Sequence, residues 1–115
     1  MHNFRQLQIW NEAMQIAKNS YLILSNLPPS EKFGLMSQIS RCAVSVPSNI
    51  AEGSSRSSNK EFAHFLSIAL GSLFELETQL LLSKELGFIK DDLGNLFNSI
   101  IQLQKKISTF KKTLL

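Results

Sequence analysis

Glu61 and His64 stand three residues apart, the Glu-x-x-His spacing by which helical bundles project two ligands toward a di-metal centre. Such a centre takes two of these pairs plus two more carboxylates, and the only other histidine is His2. One chain therefore supplies no such site, and Glu61/His64 reads as a surface pair one helical turn apart. One cysteine and two histidines form no zinc pattern. Cys42 has no histidine nearby along the chain to take its proton, and it reads as a small buried hydrophobe. No Gly-x-x-x-x-Gly-Lys-Ser/Thr or Gly-x-Gly-x-x-Gly stretch is present to cradle phosphates. Without an acid/base pair or an activated nucleophile, an enzyme is the least supported class, and no cofactor or metal is expected.

The basic residues carry a different chemistry. The net charge is only +3, but no acid follows Asp92, while Lys105, Lys106, Lys111 and Lys112 crowd the last eleven residues. Arg56 lies within a Ser-rich break earlier in the chain, and Lys60 follows just after it. Ammonium and guanidinium groups so grouped suit phosphates, and contacts of that kind are salt-dependent and indifferent to base sequence. The competing reading is a solvated helix end whose lysines complement the macrodipole. Phe62, Phe74, Phe97 and Phe110 fit helical packing better than base stacking.

A third set is polar. Gln38, Arg41, Ser45, Ser48 and Glu52 recur at steps of three and four, with Asn49 alongside, and Ser72, Glu75 and Gln79 repeat the pattern later. If the two segments pair antiparallel, residue x faces roughly residue 112 − x. Arg41 then lies opposite Gly71, with Glu75 one turn away for a bidentate ion pair. Gln38, Arg41, Ser45, Asn49, Glu52, Ser72 and Glu75 read as a buried network that fixes helix register, or else as a polar surface facing a partner.

Helices must position all three sets. Leu7, Trp10, Met14, Ala17, Tyr21 and Leu24 form a seam on a helix spanning about 7–26, with Ile9, Ile16 and Ile23 widening it. Leu27-Pro28-Pro29 ends that helix, because a residue before proline avoids helical backbone. A second helix over 35–53 carries Leu35, Ile39, Cys42, Val46 and Asn49 inward, with a kink expected at Pro47. Ser58 and Glu61 form a capping box for a third helix over 59–86, closed by Gly87. Asp91 or Asp92 caps a fourth over 92–113, whose seam runs Leu93, Leu96, Ile100, Leu103, Ile107, Phe110, Leu114. These readings give an all-α, antiparallel, up-down-up-down four-helix bundle, with residues 1–115 forming one domain. Leu70, Phe74 and Leu81 make a second apolar line on the third helix, which predicts a homo-oligomer. The lone cysteine suggests a reducing, cytoplasmic setting. Neither an apolar signal core nor an apolar run approaching 18 residues is visible, so no membrane role is expected.

Leu7-x-x-Trp10, Gly34-Leu35, Ser37-Gln38, Arg41, the run from Ser45 through Pro47, Asn49, Ile50, Ala51 and Glu52 to Gly53, Lys60-Glu61-Phe62 and Gly71-Ser72-x-x-Glu75-Leu76-Glu77 together resemble the bacterial four-helix-bundle family encoded in intervening sequences of 23S rRNA genes. A related branch is the accessory variability protein of diversity-generating retroelements. The resemblance covers nearly the whole chain and implies bundles assembled into barrel-shaped homopentamers. In the retroelement branch it also implies binding to nucleic acid and a reverse transcriptase. Where the family pattern often has two adjacent basic residues, this chain has Ser40-Arg41. The expected function is a non-enzymatic, homo-oligomeric scaffold or accessory protein contacting RNA or DNA through Arg56, Lys60, Lys105, Lys106, Lys111 and Lys112. The alternative is a protein–protein interaction module with no nucleic-acid role.

Overall fold

The computed structural model describes all 115 residues. Four helices, α1 (Gln8–Leu22), α2 (Leu35–Ser54), α3 (Asn59–Glu85) and α4 (Gly94–Thr113), account for the architecture, and no strand is present. Each packs against two neighbours in the cyclic order α1, α2, α3, α4, as an up-down-up-down bundle requires.

Local chemistry sets the boundaries. α1 stops at Leu22, four residues before the expected end, because Leu24–Asn26 tighten into a 3-10 turn ahead of Leu27. Leu27 is extended at ψ 147°, as a residue before proline should be. At the start of α2, the Glu31 carboxylate accepts the Leu35 N–H at 3.1 Å, satisfying one of the orphan donors. The helix then runs through Pro47 to Ser54 as one continuous element. Ser58 caps α3, its Oγ accepting the Glu61 N–H at 3.1 Å. The return arm differs from the expected box, since the Glu61 carboxylate takes the Ser58 hydroxyl at 3.2 Å and not its backbone N–H. Gly87, at φ +78°, supplies the left-handed residue that closes α3. The Phe88 N–H reaches Ser83 O and the Gly87 N–H reaches Lys84 O, both at 3.0 Å. α4 opens two residues later than expected, with Asp92 Oδ1 accepting the Gly94 N–H at 2.8 Å.

One contiguous cluster of 24 buried residues forms the core. Ile39, Ala43, Val46 and Ile50 supply it from α2, Leu66, Ala69, Leu73, Leu76 and Leu80 from α3, and Ile100, Leu103 and Ile107 from α4. On α1 the expected seam is corrected. Ile9, Ala13, Ile16, Ala17 and Ser20 face inward, whereas Met14 and Tyr21 are 44% and 49% exposed. Two apolar lines with the same spacing compete for one core. The line of Ile9, Ala13, Ile16 and Ser20 takes the core, and of the expected seam Ala17 is kept beside it. Small Ala13 and Ala17 admit the closer approach to the other helices, and Ser20 is accommodated by donating to Ile16 O at 2.7 Å. Asn49 is corrected likewise: it is half-buried, and Ala43 and Ile50 fill the core beside it.

By length and composition α3 is the one helix able to cross a membrane, with mean hydropathy 1.4 over its best window. Within the bundle, Leu66, Leu73, Leu76 and Leu80, which contribute to that figure, are fully buried against the other helices.

Candidate functional site

α2 and α3 are tied by a ladder of polar contacts. Ser45 and Ser72 share a hydrogen bond at 2.8 Å, Gln79 Nε2 donates to Gln38 Oε1 at 3.3 Å, and Cys42 Sγ lies 3.9 Å from Glu75 Oε2. In all three rungs the residue numbers sum to 117, so the register sits five residues from the expected one. Asn49 belongs to the same set by turning back, donating to Ser45 O at 2.8 Å and to Ser45 Oγ at 2.9 Å.

The shifted register removes Arg41 from the network. Its side chain is exposed and makes no ion pair with Glu75, while a Cβ placed on Gly71 would meet nothing within 4 Å. Glu52 is also outside the ladder, pairing at 3.0 Å with Arg56 on its own side of the corner. Losses on Arg41→Ala and Glu75→Ala should therefore add. Ser45→Ala and Ser72→Ala should couple by about 0.5–1 kcal/mol in urea-melt double-mutant cycles, and coupling between the first pair would restore the expected register.

Burial pushes the Cys42 thiol up from its ordinary value, and the Glu75 charge adds to that, against the hydrogen bond from Gln79. A raised pKa leaves less thiolate at any given pH, so alkylation near neutrality should be slower than in the denatured chain. A native rate matching the denatured one would show that the α2–α3 seam opens readily.

The cationic side chains gather at one end. An up-down-up-down chain brings its N-terminus, its α2–α3 corner and its C-terminus to the same end, where the His2 N–H also bonds Ser54 O at 2.9 Å. The His2 ring lies 5.0 Å from Phe62 and 6.1 Å from Phe110, and those two rings are 5.6 Å apart. Arg56 and Lys60 at the corner thereby share an end with Lys105, Lys106, Lys111 and Lys112. With each helix divided at its midpoint, this half holds seven Lys/Arg and three carboxylates, and the other half holds five and six. A net side-chain charge of +3 is thus distributed as about +4 at one end and −1 at the other.

Not all six expected residues are free. Lys106 Nζ holds the Glu12 carboxylate at 2.9 and 3.0 Å. Arg56 is half-buried, paired to Glu52, with its guanidinium 4.8 Å from the Phe65 ring centre. Lys60, Lys105, Lys111 and Lys112 carry no ion pair. Arg5 joins them, exposed beside the Phe4 ring at 4.5 Å. Sequence reasoning missed it, although the bundle topology alone places residue 5 at this end.

Two apolar surfaces lie on opposite sides of the bundle. Between α1 and α2 a groove of about 570 Å³ is walled by Phe4, Trp10, Met14 and Tyr21 over Val44 and Pro47. Across the bundle, Leu70 and Phe74 of α3 stand beside α4, Phe74 being 52% exposed. Leu81, seven residues on from Phe74, continues that face at 46% exposure. The remaining two sides are polar, one bearing the α2–α3 ladder and the other the Lys106–Glu12 pair between α4 and α1.

No three His, Cys, Asp or Glu side chains converge. His64 packs edge-on to Phe65 at 5.9 Å, and the Glu61 carboxylate is engaged at the α3 cap. Residues 5–109 match the family model described as 23S rRNA-intervening sequence protein. No curated protein matches the chain.

Proposed function

The chain belongs to the 23S rRNA-intervening sequence protein family, and we propose that it is a non-enzymatic, homo-oligomeric accessory protein that contacts RNA or DNA phosphates with the basic end of its bundle. The observation that carries this reading is the convergence of Arg5, Lys60, Lys105, Lys111 and Lys112, all without ion pairs, at one end. One such end holds too little charge for tight binding. Repetition in an assembly multiplies it by raising the effective concentration of each further contact.

The two apolar surfaces support assembly. They differ in shape, a groove on one side and the Phe74/Leu81 ridge on the other, and a contact between unlike patches is heterologous. Heterologous contacts that close make a cyclic ring in which every copy points the same way. All basic ends then share one rim, which is how a modest charge becomes a continuous phosphate-binding surface.

Lys60→Gln/Lys111→Gln/Lys112→Gln tests the reading by fluorescence anisotropy on labelled RNA and DNA. Wild-type affinity should fall steeply with salt, and the triple variant should bind more weakly with a slope about two to three units shallower. Affinity unchanged by salt would overturn the phosphate reading. The protein-interaction alternative draws on the same apolar faces, and it gains if the purified chain is monomeric and ignores nucleic acid.

A further inference from the structure

A cleft of about 490 Å³ opens between the start of α1 and the last turns of α4, where Lys105 and Thr109 separate it from the Leu70/Phe74 surface. Its floor is Leu7, Ile9 and Phe110, and its rim carries Gln6, Gln8, Lys105, Lys106, Thr109 and Thr113. We infer that this cleft takes one unstacked nucleotide of a single-stranded nucleic acid, its base on the apolar floor and its phosphate at the Lys105 ammonium. The inference rests on the proposed function and adds the strand type.

Four of the six rim groups, Gln6, Gln8, Lys105 and Thr109, are unengaged, while Lys106 is held by Glu12. Ser20, Ser67, Thr78 and Ser83 each donate to a carbonyl four residues back in their own helix, and Thr113 donates to Phe110 O, whereas Thr109 makes no such bond. The side chains of Gln6, Gln8 and Lys105 likewise make no hydrogen bond within the chain. The one carboxylate nearby, Glu12, is held by both oxygens on Lys106, so the cleft presents no free anion to repel a phosphate. An apolar floor ringed by a few amide, hydroxyl and ammonium groups is the usual make-up of a small-ligand site, and the volume suits one nucleotide. Continuity with Lys111, Lys112 and Arg5 lets the neighbouring phosphates of the strand bind the basic end. A base inside a duplex is paired and stacked, so its face cannot reach the floor, whereas a single strand can turn one out.

The experiment compares a labelled oligothymidylate strand with a labelled duplex of equal length, at one salt concentration, against the full chain and Thr109→Leu. Thr109 is exposed on α4, so the leucine fills the cleft without burdening the core. Because Thr109 also borders the Leu70/Phe74 surface, light scattering on the variant must first give the wild-type mass. The expected result is tighter wild-type binding to the strand, weakened about tenfold by Thr109→Leu with duplex binding unchanged. Equal losses on both probes, or none on either, overturn the cleft and leave the basic-end reading standing. Failure of wild type to bind either probe overturns both.

Discussion

Gly53→Ala is expected to destabilise the bundle by about 2 kcal/mol, while Gly71→Ala stabilises it by about 0.5–1 kcal/mol. Both glycines lie within helices, where alanine is preferred by roughly 1 kcal/mol. Packing decides the sign. A Cβ on Gly53 would lie 2.6 Å from Phe65 Cβ and 2.9 Å from Phe62 Cδ1. The Phe65 Cβ is fixed to its backbone and cannot swing aside. Phe62 is 1% exposed and held by the His2 and Phe110 rings. Relief therefore requires α2 and α3 to part at the corner, and overpacking of this kind costs about 1–3 kcal/mol and sometimes more. Gly71 has open space around it and returns only the backbone-entropy gain. Calorimetry should show the Gly53 variant melting several degrees lower and the Gly71 variant a few degrees higher. A neutral Gly53→Ala would mean that the corner is looser than these distances require. Because His2 is bonded to Ser54 O one residue along, the same substitution should also loosen the basic end.

The contrast between these glycines marks what could be read from the chain. Periodicity and capping residues placed all four helices to within a few residues, since Ser58, Gly87 and the Leu27-Pro28 pair act locally. What periodicity does not resolve is rotation about a helix axis when two apolar lines compete. On α1, Trp10, Met14 and Tyr21 have the spacing of a seam, yet they lie on the groove side, because bulky side chains are displaced where Ala13 and Ala17 admit the closer approach. Nor does it resolve axial register. Pairing about the loop midpoint set Arg41 beside Gly71, whereas the rungs at Ser45–Ser72 and Gln38–Gln79 lie five residues away. The close approach at Gly53 brings α2 onto Phe62 and Phe65, well inside α3, and that contact is invisible to spacing alone. For the basic residues the residue types were legible as two separate groups. Their union at one end, with Arg5 added, is a consequence of topology.

If the chain assembles as the proposed ring, Tyr21→Glu and Phe74→Glu should each reduce it to monomers, and mixing the two variants should yield a one-to-one dimer. In a head-to-tail ring every junction uses the α1/α2 groove of one copy and the α3/α4 ridge of the next. A carboxylate on either surface therefore breaks all junctions at once, since burying an unpaired charge is strongly unfavourable and truncating an anchoring aromatic costs about 2 kcal/mol or more. Tyr21 is 49% and Phe74 52% exposed, so each fold should survive its substitution. Subunits carrying Tyr21→Glu keep an intact ridge, and those carrying Phe74→Glu keep an intact groove. Together they rebuild one junction and no more. A groove-to-groove contact behaves differently: Phe74→Glu would leave it whole, and mixing would rescue nothing. Light scattering on the two variants and their mixture separates these arrangements, and a monomeric wild type would overturn both. The same mixture bears on the basic end, because two copies carry only a fraction of the rim's charge. On the proposed reading its nucleic-acid affinity should sit just above that of the monomers and far below that of the proposed ring.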